Sequence, residues 1–330
     1  MKILVTGSAG FIGYNLCKRL LDEGNKVVGI DSYSPDYDIN LKELRTKELI
    51  SNKSFEFIKL DINNVAFNTL LNGSKVDYVI HLAAKDLYYG SSEFIDYSPF
   101  IETNVLGTSK AFDLSRRLTA KKFIFISTHS IYGNSKRSIL TEKKLLPKPI
   151  SPHGASKFSA EHVVQFMSNF YIIPSIILRV FSVYGPGMRP HTFIPLVIDR
   201  LSKNLPLDAY ADYNVKRDFI YIDDVVSYIL ATLNKRIKFQ VINIASGKSY
   251  MLKEIVIKIA EIMKKDPNRL EFKRHERDFS RMVGIDNIAS VTRAKKILKY
   301  SPLTDIDLGL AKTVEWYLKN PGILEISTHH

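Results

Sequence analysis

The feature that most constrains this chain is its opening, MKILVTGSAGFIG. Ile3 to Thr6 are β-prone, Gly7-Ser8-Ala9-Gly10-Phe11-Ile12-Gly13 follow directly, and an amphipathic run from Asn15 to Asp22 comes next. That order predicts strand, glycine turn and helix. The glycines fall where the turn must be tight, where backbone must approach a pyrophosphate, and where the helix must pack on the strand. The helix N-terminus then faces the anion with free N–H groups and the positive end of its dipole. The next strand, Lys26-Val-Val-Gly-Ile-Asp31, ends in an acid 18 positions after Gly13. A carboxylate there accepts from both adenosine ribose hydroxyls and repels a 2′-phosphate, so NAD is expected over NADP.

At 330 residues the chain can build one large domain or two smaller ones around real cores. No apolar run reaches the roughly 18 residues that a membrane helix needs, so no membrane partner is expected. The N-terminus runs straight into the first strand, so no signal peptide is expected either. Cys17 is the single cysteine. It excludes an internal disulfide and a cysteine metal cluster, and it suits a reducing, cytoplasmic setting. The formal charge of +13 raises the question of nucleic acid. The lysines and arginines are scattered over helical segments without aromatic interleaving or a basic tail. They read as a solvated surface with a few cations for an anionic substrate, not as a nucleic-acid face. His329 and His330 read as the start of a purification tag and carry no argument.

Strands are expected near 2–6, 26–31, 55–60, 77–83, 122–127 and 175–181, and helices near 11–23, 63–72, 99–117 and 152–170. This alternation predicts an α/β fold, a Rossmann-type doubly wound parallel sheet. Past residue 180 the order becomes mixed, with helical patterns at 192–203, 223–234, 252–265, 287–298 and 306–319. We expect a dinucleotide-binding domain over 1–178 and a smaller mixed α/β substrate lobe over 179–330, with segments near 215–248 returning to the first.

Asp61 closes the third strand pattern, where it can accept from the adenine amino group or cap a helix. His81-Leu-Ala-Ala84 closes the fourth, its small residues letting backbone pass close to a flat cofactor; His81 itself reads as structural. Phe123-Ile-Phe-Ile-Ser-Thr128 is a buried strand carrying a hydroxyl to its tip. In Ser151-Pro-His153-Gly-Ala-Ser-Lys157, Ser151 can cap a helix and Pro152 fits its first turn. His153 and Lys157 then lie at i and i+4 on one face and reach the same site.

With these motifs in place, the chain resembles an extended short-chain dehydrogenase/reductase of the nucleotide-sugar epimerase/dehydratase family. The likeness runs through the TGxxGxxG start, Asp31, Asp61, HLAA, Asn104-Val-Leu-Gly-Thr, the Ser/Thr strand, the xxxK helix, Arg179-Val-Phe-Ser-Val-Tyr-Gly-Pro, Lys216-Arg-Asp-Phe-Ile-Tyr-Ile-Asp-Asp-Val and Glu315-Trp-Tyr. It is most similar to UDP-glucuronate 4-epimerases, through Tyr37-Asp-Ile-Asn-Leu-Lys-Glu-Leu-Arg45, Tyr184-Gly-Pro-Gly-Met-Arg-Pro190 and Ser182. The resemblance implies NAD held by Gly7, Gly10, Phe11, Ile12 and Gly13, by Asp31, Asp61 and Ile62, by Leu82, Ala83 and Ala84, and by Asn104 and Lys157. It implies Thr128, position 153 and Lys157 as the catalytic set. It implies a nucleotide-diphosphate sugar, a UDP-sugar in the subgroup, held by Lys85, Tyr88, Thr128, Ser182, Arg189, Arg217 and Arg281. It also implies a homodimer through the helices near 99–117 and 152–170. Apolar residues on more than one face of those helices (Phe112 and Leu114; Val163, Val164, Phe166, Met167 and Phe170) fit that reading.

Two departures matter. The family's catalytic Tyr, four residues before the Lys, is His153 in this chain. The pair Asp-Glu that a sugar 4,6-dehydratase carries after the strand-end Thr is His129-Ser130, which argues against elimination. An imidazole is a neutral base at pH 7, yet its nitrogen ends roughly 2 Å short of a phenol oxygen, so a water or Thr128 would bridge to the sugar. Three readings stay open: a variant of a tyrosine enzyme, a natural enzyme using His153 directly or through water, and a binder or much slower enzyme. Related chains carry Gln-Ala-Gly-Val-Arg after HLAA, where this one has Lys85-Asp-Leu-Tyr-Tyr89. The leading expectation is a 4-epimerase passing through a transient 4-keto sugar. A nucleotide-sugar decarboxylase, a 4-dehydrogenase and a non-catalytic sugar-nucleotide binder are the alternatives.

Overall fold

Along β1 (Lys2–Thr6), Ile3 and Val5 enter one apolar cluster and Leu4 enters another, all three fully buried. In β5 (below) Ile124 and Ile126 join the first cluster while Phe123 and Phe125 join the second. Strands that are apolar on both faces need helices on both faces, and that is the solution this chain adopts. A computed structural model describes residues 1–36, 38–86, 96–133, 139–143, 147–209, 213–267, 270, 272–274 and 288–325.

The first half runs β1, α1 (Phe11–Asp22), β2 (Lys26–Asp31), α2 (Ile39–Ile50), β3 (Phe55–Lys59), β4 (Tyr78–His81), α3 (Ser98–Phe100), α4 (Gly107–Arg117), β5 (Lys122–Thr128), α5 (Pro152–Tyr171) and β6 (Ser175–Val180). A π-helical stretch, Ile101–Leu106, joins α3 to α4. The second half runs β7 (Ser182–Tyr184), α6 (Phe193–Ser202), β8 (Leu207–Ala209), β9 (Lys216–Arg217), β10 (Phe219–Tyr221), α7 (Ile222–Leu233), β11 (Phe239–Ile244), β12 (Tyr250–Met251), α8 (Leu252–Ile262), β13 (Phe272–Arg274), α9 (Thr292–Leu298), α10 (Ile306–Lys319) and α11 (Gly322–Glu325).

Seven parallel strands form the central sheet in the order β11-β6-β5-β4-β1-β2-β3. The chain leaves β3 at one edge and re-enters at β4 on the far side of β1. The crevice between the carboxyl ends of β1 and β4 is therefore the switch point where such sheets bind ligands. The edge strand β11 comes from the 215–248 segment and pairs with β6, Asn243 opposite Arg179. Small pairs, β7 with β10, β8 with β13 and β9 with β12, build much of the second half. Its core, with Tyr184, Ile255, Leu310 and Tyr317, is continuous with the α1 face of the sheet.

Several expectations need correcting. The segment expected as a helix at 63–72 holds a single 3₁₀ turn, Val65–Thr69, capped by Asn64 Oδ1 on the Ala66 N–H. Helix α2 was not expected at all. β4 stops at His81, so Leu82 to Ala84 lie beyond the sheet. Phe112 and Leu114 are fully buried, and Val164 and Met167 also belong to the core between sheet, α4 and α5. They cannot form a subunit face. The apolar residues left outward on this pair of helices are Phe166 and Phe170, 64% and 66% exposed and stacked on each other, with Ile101 and Leu106.

Candidate active site

The turn after β1 closes on itself: Gly7 N–H donates to Ile30 O at 2.7 Å and Gly10 N–H to Gly7 O at 3.1 Å. Gly7 has φ +74°, and a Cβ on it would lie 2.7 Å from Ala83 N. A Cβ on Gly13 would lie 2.0 Å from Gly7 O, so the helix sits directly on the turn. Helix α1 starts after Gly10 with no side-chain cap, which leaves its first N–H groups for an anion. The Asp31 carboxylate is fixed at the tip of β2, Oδ2 accepting from Ala9 N–H at 3.0 Å and Oδ1 from Tyr33 N–H at 2.9 Å. Arg45 of α2 supports the same turn, its Nη1 donating to Ala9 O at 3.0 Å. Sequence reading missed this arginine's structural use.

Asp61 lies two residues past the end of β3 and is exposed; Oδ1 accepts from Asn63 N–H at 2.7 Å, an Asx turn. Ile62 is buried where a Cβ on Gly107 would meet its Cδ1 at 2.3 Å. His81 is fully buried between two hydroxyls, Nδ1 at 2.6 Å from Thr6 Oγ1 and Nε2 at 3.0 Å from Thr108 Oγ1. Thr108 spends its proton on Asn104 O, so His81 donates from Nε2 and accepts at Nδ1. Burial and Lys157 hold its pKa well below 6.5, and it is a neutral structural imidazole.

Asn104 is fully buried and is not among the residues that line the cleft. Its Oδ1 accepts from Lys85 N–H at 2.8 Å, and its Nδ2 donates to Lys85 O at 2.9 Å and to Ser156 Oγ at 2.8 Å. It clamps the strand exit at Lys85 to α5, behind the surface that a cofactor would touch.

A cleft of about 410 Å³ runs from the glycine turn to the start of α5 and the loop after β7. Gly7, Gly10, Phe11, Ile12, Gly13, Leu82 and Ala84 line one end; Thr128, His153, Lys157, Ser182 and Arg189 line the other, with Asp86, His129 and Ser130. Thr128 ends β5, its Oγ1 accepting from Ser130 N–H at 3.1 Å. Helix α5 starts as the sequence indicates, with Ser151 Oγ accepting from Gly154 N–H at 3.1 Å and Pro152 in the first turn. Lys157 is 2% exposed, its Nζ 4.1 Å from the Phe125 ring centre, and burial lowers its pKa to about 7. Burial also lowers His153, against the opposing pull of Asp86. His129 stacks on Phe181 and is pushed down to about 4, by burial first and then by Arg217.

On the substrate side, Arg189 Nη2 meets Asp86 Oδ2, and Lys85 Nζ meets Asp36 Oδ1. Asp86 was missed because nothing in a loop residue's spacing marks it. Arg217 is 6% exposed on β9 and is not part of the cleft wall; nor are Ala83, which donates from N–H to Thr6 Oγ1, and the Lys85 side chain. Tyr88 and Arg281 lie outside the described residues. Beneath Thr128 a buried network was also missed: Ser127 Oγ donates to Glu161 Oε1 at 2.6 Å, Arg179 Nη2 to Glu161 Oε2 at 2.7 Å, and Arg179 Nη1 to Tyr132 Oη at 2.9 Å.

Residues 3–245 match the family model described as the NAD dependent epimerase/dehydratase family. A UDP-glucuronate 4-epimerase of Thermodesulfobacterium geofontis (strain OPF15) is 33% identical over 328 residues, covering 98% of each chain. A dTDP-D-glucose 4,6-dehydratase of Homo sapiens is 30% identical, over 97% of this chain and 90% of the relative. The crystal structure of UDP-glucuronic acid 4-epimerase from Bacillus cereus in complex with UDP-glucuronic acid and NAD superimposes with a TM-score of 0.86 at 32% identity, over 97% of this chain and 100% of the other.

Proposed function

The chain belongs to the NAD-dependent epimerase/dehydratase family, and from that premise we propose that it is a 4-epimerase of a UDP-sugar, UDP-glucuronate first. One observation carries this reading: a single cleft joins the glycine turn to Thr128, His153, Lys157 and Arg189. The residues fit NAD. Gly7 and Gly13 leave no room for a Cβ, α1 starts uncapped, and Asp31 stands fixed at the tip of β2, where it would meet an adenosine ribose. Bound NAD would supply the hydride acceptor and donor for sugar C4, with no net redox change over the cycle.

The chain's own groups do the rest. His153 is neutral at pH 7 and accepts the 4-hydroxyl proton, directly or through a water, while the Thr128 hydroxyl bonds the same oxygen. Lys157 holds the nicotinamide ribose. His129 and Ser130 offer no carboxylate where a 4,6-dehydratase has its acid and base, so the 4-keto sugar is reduced again rather than dehydrated. Arg189 faces the sugar end already engaged with Asp86, which favours a second substrate, a UDP-hexose without a 6-carboxylate.

Phe166, Phe170, Ile101 and Leu106 form the outward face through which we read a homodimer. No helix among the described residues is long and apolar enough to cross a membrane. The test is incubation with UDP-glucuronate, and separately UDP-glucose, with chromatographic separation of products. UDP-galacturonate or UDP-galactose is expected. Formation of neither, by the parent chain or by His153→Tyr, refutes the reading; a pentose nucleotide or stoichiometric NADH would instead identify a decarboxylase or a dehydrogenase.

A further inference from the structure

Two of the places where this chain departs from the family pattern, residues 85–86 and residue 153, meet in space. His153 Nδ1 lies 3.0 Å from Lys85 O and 3.6 Å from Asp86 Oδ1. A carbonyl oxygen only accepts, so Nδ1 carries the proton and donates. In the neutral ring Nε2 is then the lone-pair nitrogen. The two residues that make these contacts, Lys85 and Asp86, are held by further groups. Asn104 holds both the N–H and the C=O of Lys85, Lys85 Nζ is tied to Asp36, and Arg189 Nη2 grips Asp86 Oδ2. One carboxylate oxygen is thus anchored by arginine while the other faces the imidazole.

We propose that Asp86 is the positioning residue of a His153–Asp86 dyad, in which the imidazole replaces the family's phenol as proton acceptor. The proposal rests on the epimerase reading for the identity of the proton donor. In the step, the O–H bond of the sugar 4-hydroxyl breaks and an Nε2–H bond forms. The electron pair left on oxygen becomes the second bond of the C4 carbonyl as the C4–H bond breaks and its hydride passes to the nicotinamide that bound NAD would supply as oxidant. The return half reverses both. The imidazolium formed on the way needs a nearby anion, because the other charged groups around it are unfavourable. Lys157 from its own helix and Arg189 from the loop after β7 both disfavour the protonated ring, while His129 from the turn after β5, pushed down to about 4, stays neutral near pH 7. Among the described residues, Asp86 is the carboxylate that acts on His153. The arrangement resembles a serine-protease histidine and its aspartate in charge but not in hydrogen bonding: the Lys85 carbonyl orients the ring, and Asp86 stabilises its charged form from 3.6 Å without taking the proton.

The test uses ¹⁵N-labelled holoprotein and follows the imidazole signals from about pH 4.5 to 8, with His153 identified by its loss in His153→Phe. In the parent, the neutral tautomer has its proton on Nδ1. In Asp86→Asn the titration midpoint of His153 falls by about one unit, as expected for losing an opposite charge within 4–6 Å. The acid limb of kcat/KM moves down with it, and kcat drops about tenfold. Asp86→Ser repeats the titration should the asparagine variant not fold. A proton on Nε2 in the parent, or a midpoint unmoved by either variant, overturns the dyad. The titration needs no substrate, so the two readings fail separately. A shifted midpoint in a protein that turns over no UDP-sugar keeps the dyad and refutes the epimerase. An active epimerase with an unmoved midpoint does the reverse.

Discussion

Replacing Gly13 with alanine puts a methyl group where the structure has no space. Its Cβ would lie 2.0 Å from Gly7 O, whereas ordinary contact begins at about 3.4 Å, so helix and turn must separate by roughly 1.4 Å. The obstacle is backbone, not the end of a flexible side chain, and it cannot rotate away. Helix α1 carries Leu16 and Leu20, both fully buried, so pushing it off the sheet also loosens that core. Overpacking of this kind costs about 1–3 kcal/mol of stability. The same displacement carries the first N–H groups of α1 away from the pyrophosphate position, and a hydrogen bond does not survive a shift of that size. Losing one such bond to a charged acceptor costs about 1.5–3 kcal/mol, or roughly 10- to 150-fold in NAD affinity. Gly13 has no positive φ, so the effect is purely steric. Gly322→Ala is the control, since nothing lies within 4 Å of its Cβ position, and it should change stability by less than about 0.5 kcal/mol. The assay is titration calorimetry of NAD onto stripped protein, with urea unfolding of each variant. NAD binding by Gly13→Ala within twofold of the parent would refute the packing argument.

Three further outcomes are expected. His153→Tyr raises epimerase turnover, because a phenol reaches the sugar oxygen without a relay, and His153→Phe lowers it; steady-state kinetics with either substrate decides, and an unchanged kcat in both removes position 153 from the chemistry. Glu161→Gln breaks the buried pair with Arg179, whose partners are 4% and 6% exposed, and costs about 3–5 kcal/mol in urea unfolding, while Glu161→Leu with Arg179→Met costs less. Phe166→Glu with Phe170→Glu, both outward-facing, gives a folded monomer by light scattering where the parent is a dimer; a monomeric parent contradicts the dimer.

Much of the nucleotide half could be read from the chain because its signals are local. A strand apolar on both faces, a glycine turn and an acid at the next strand tip each need only a few neighbouring residues. Helix α2 escaped because its inward stripe is not apolar: Leu41, Lys42, Arg45, Thr46 and Leu49 are its buried positions. Lys42 and Arg45 go inward to satisfy backbone carbonyls, Ser34 O and Ala9 O, so the hydrophobic period that marks a helix is interrupted by charge. Phe112 and Leu114 turn out to lie on the face that packs inward. Helix α4 packs against both the sheet and α5, so apolar residues on two faces signal a covered helix, not an open one. Asn104 matches a family motif, yet only the fold shows its amide spent on Lys85 and Ser156. Asp86 lies 67 positions from His153, and no local pattern connects them.

The central claim is transient oxidation at sugar C4 within one cleft. It is tested most directly by UDP-glucuronate carrying deuterium at C4, or by UDP-glucose labelled in the same way if that is the substrate. The hydride removed is the hydride returned, so the epimer should keep its deuterium at C4 and turnover should be slower than with the unlabelled sugar. Product that has exchanged its C4 label with solvent, or an epimer formed with no isotope effect and the label washed out, would contradict the account.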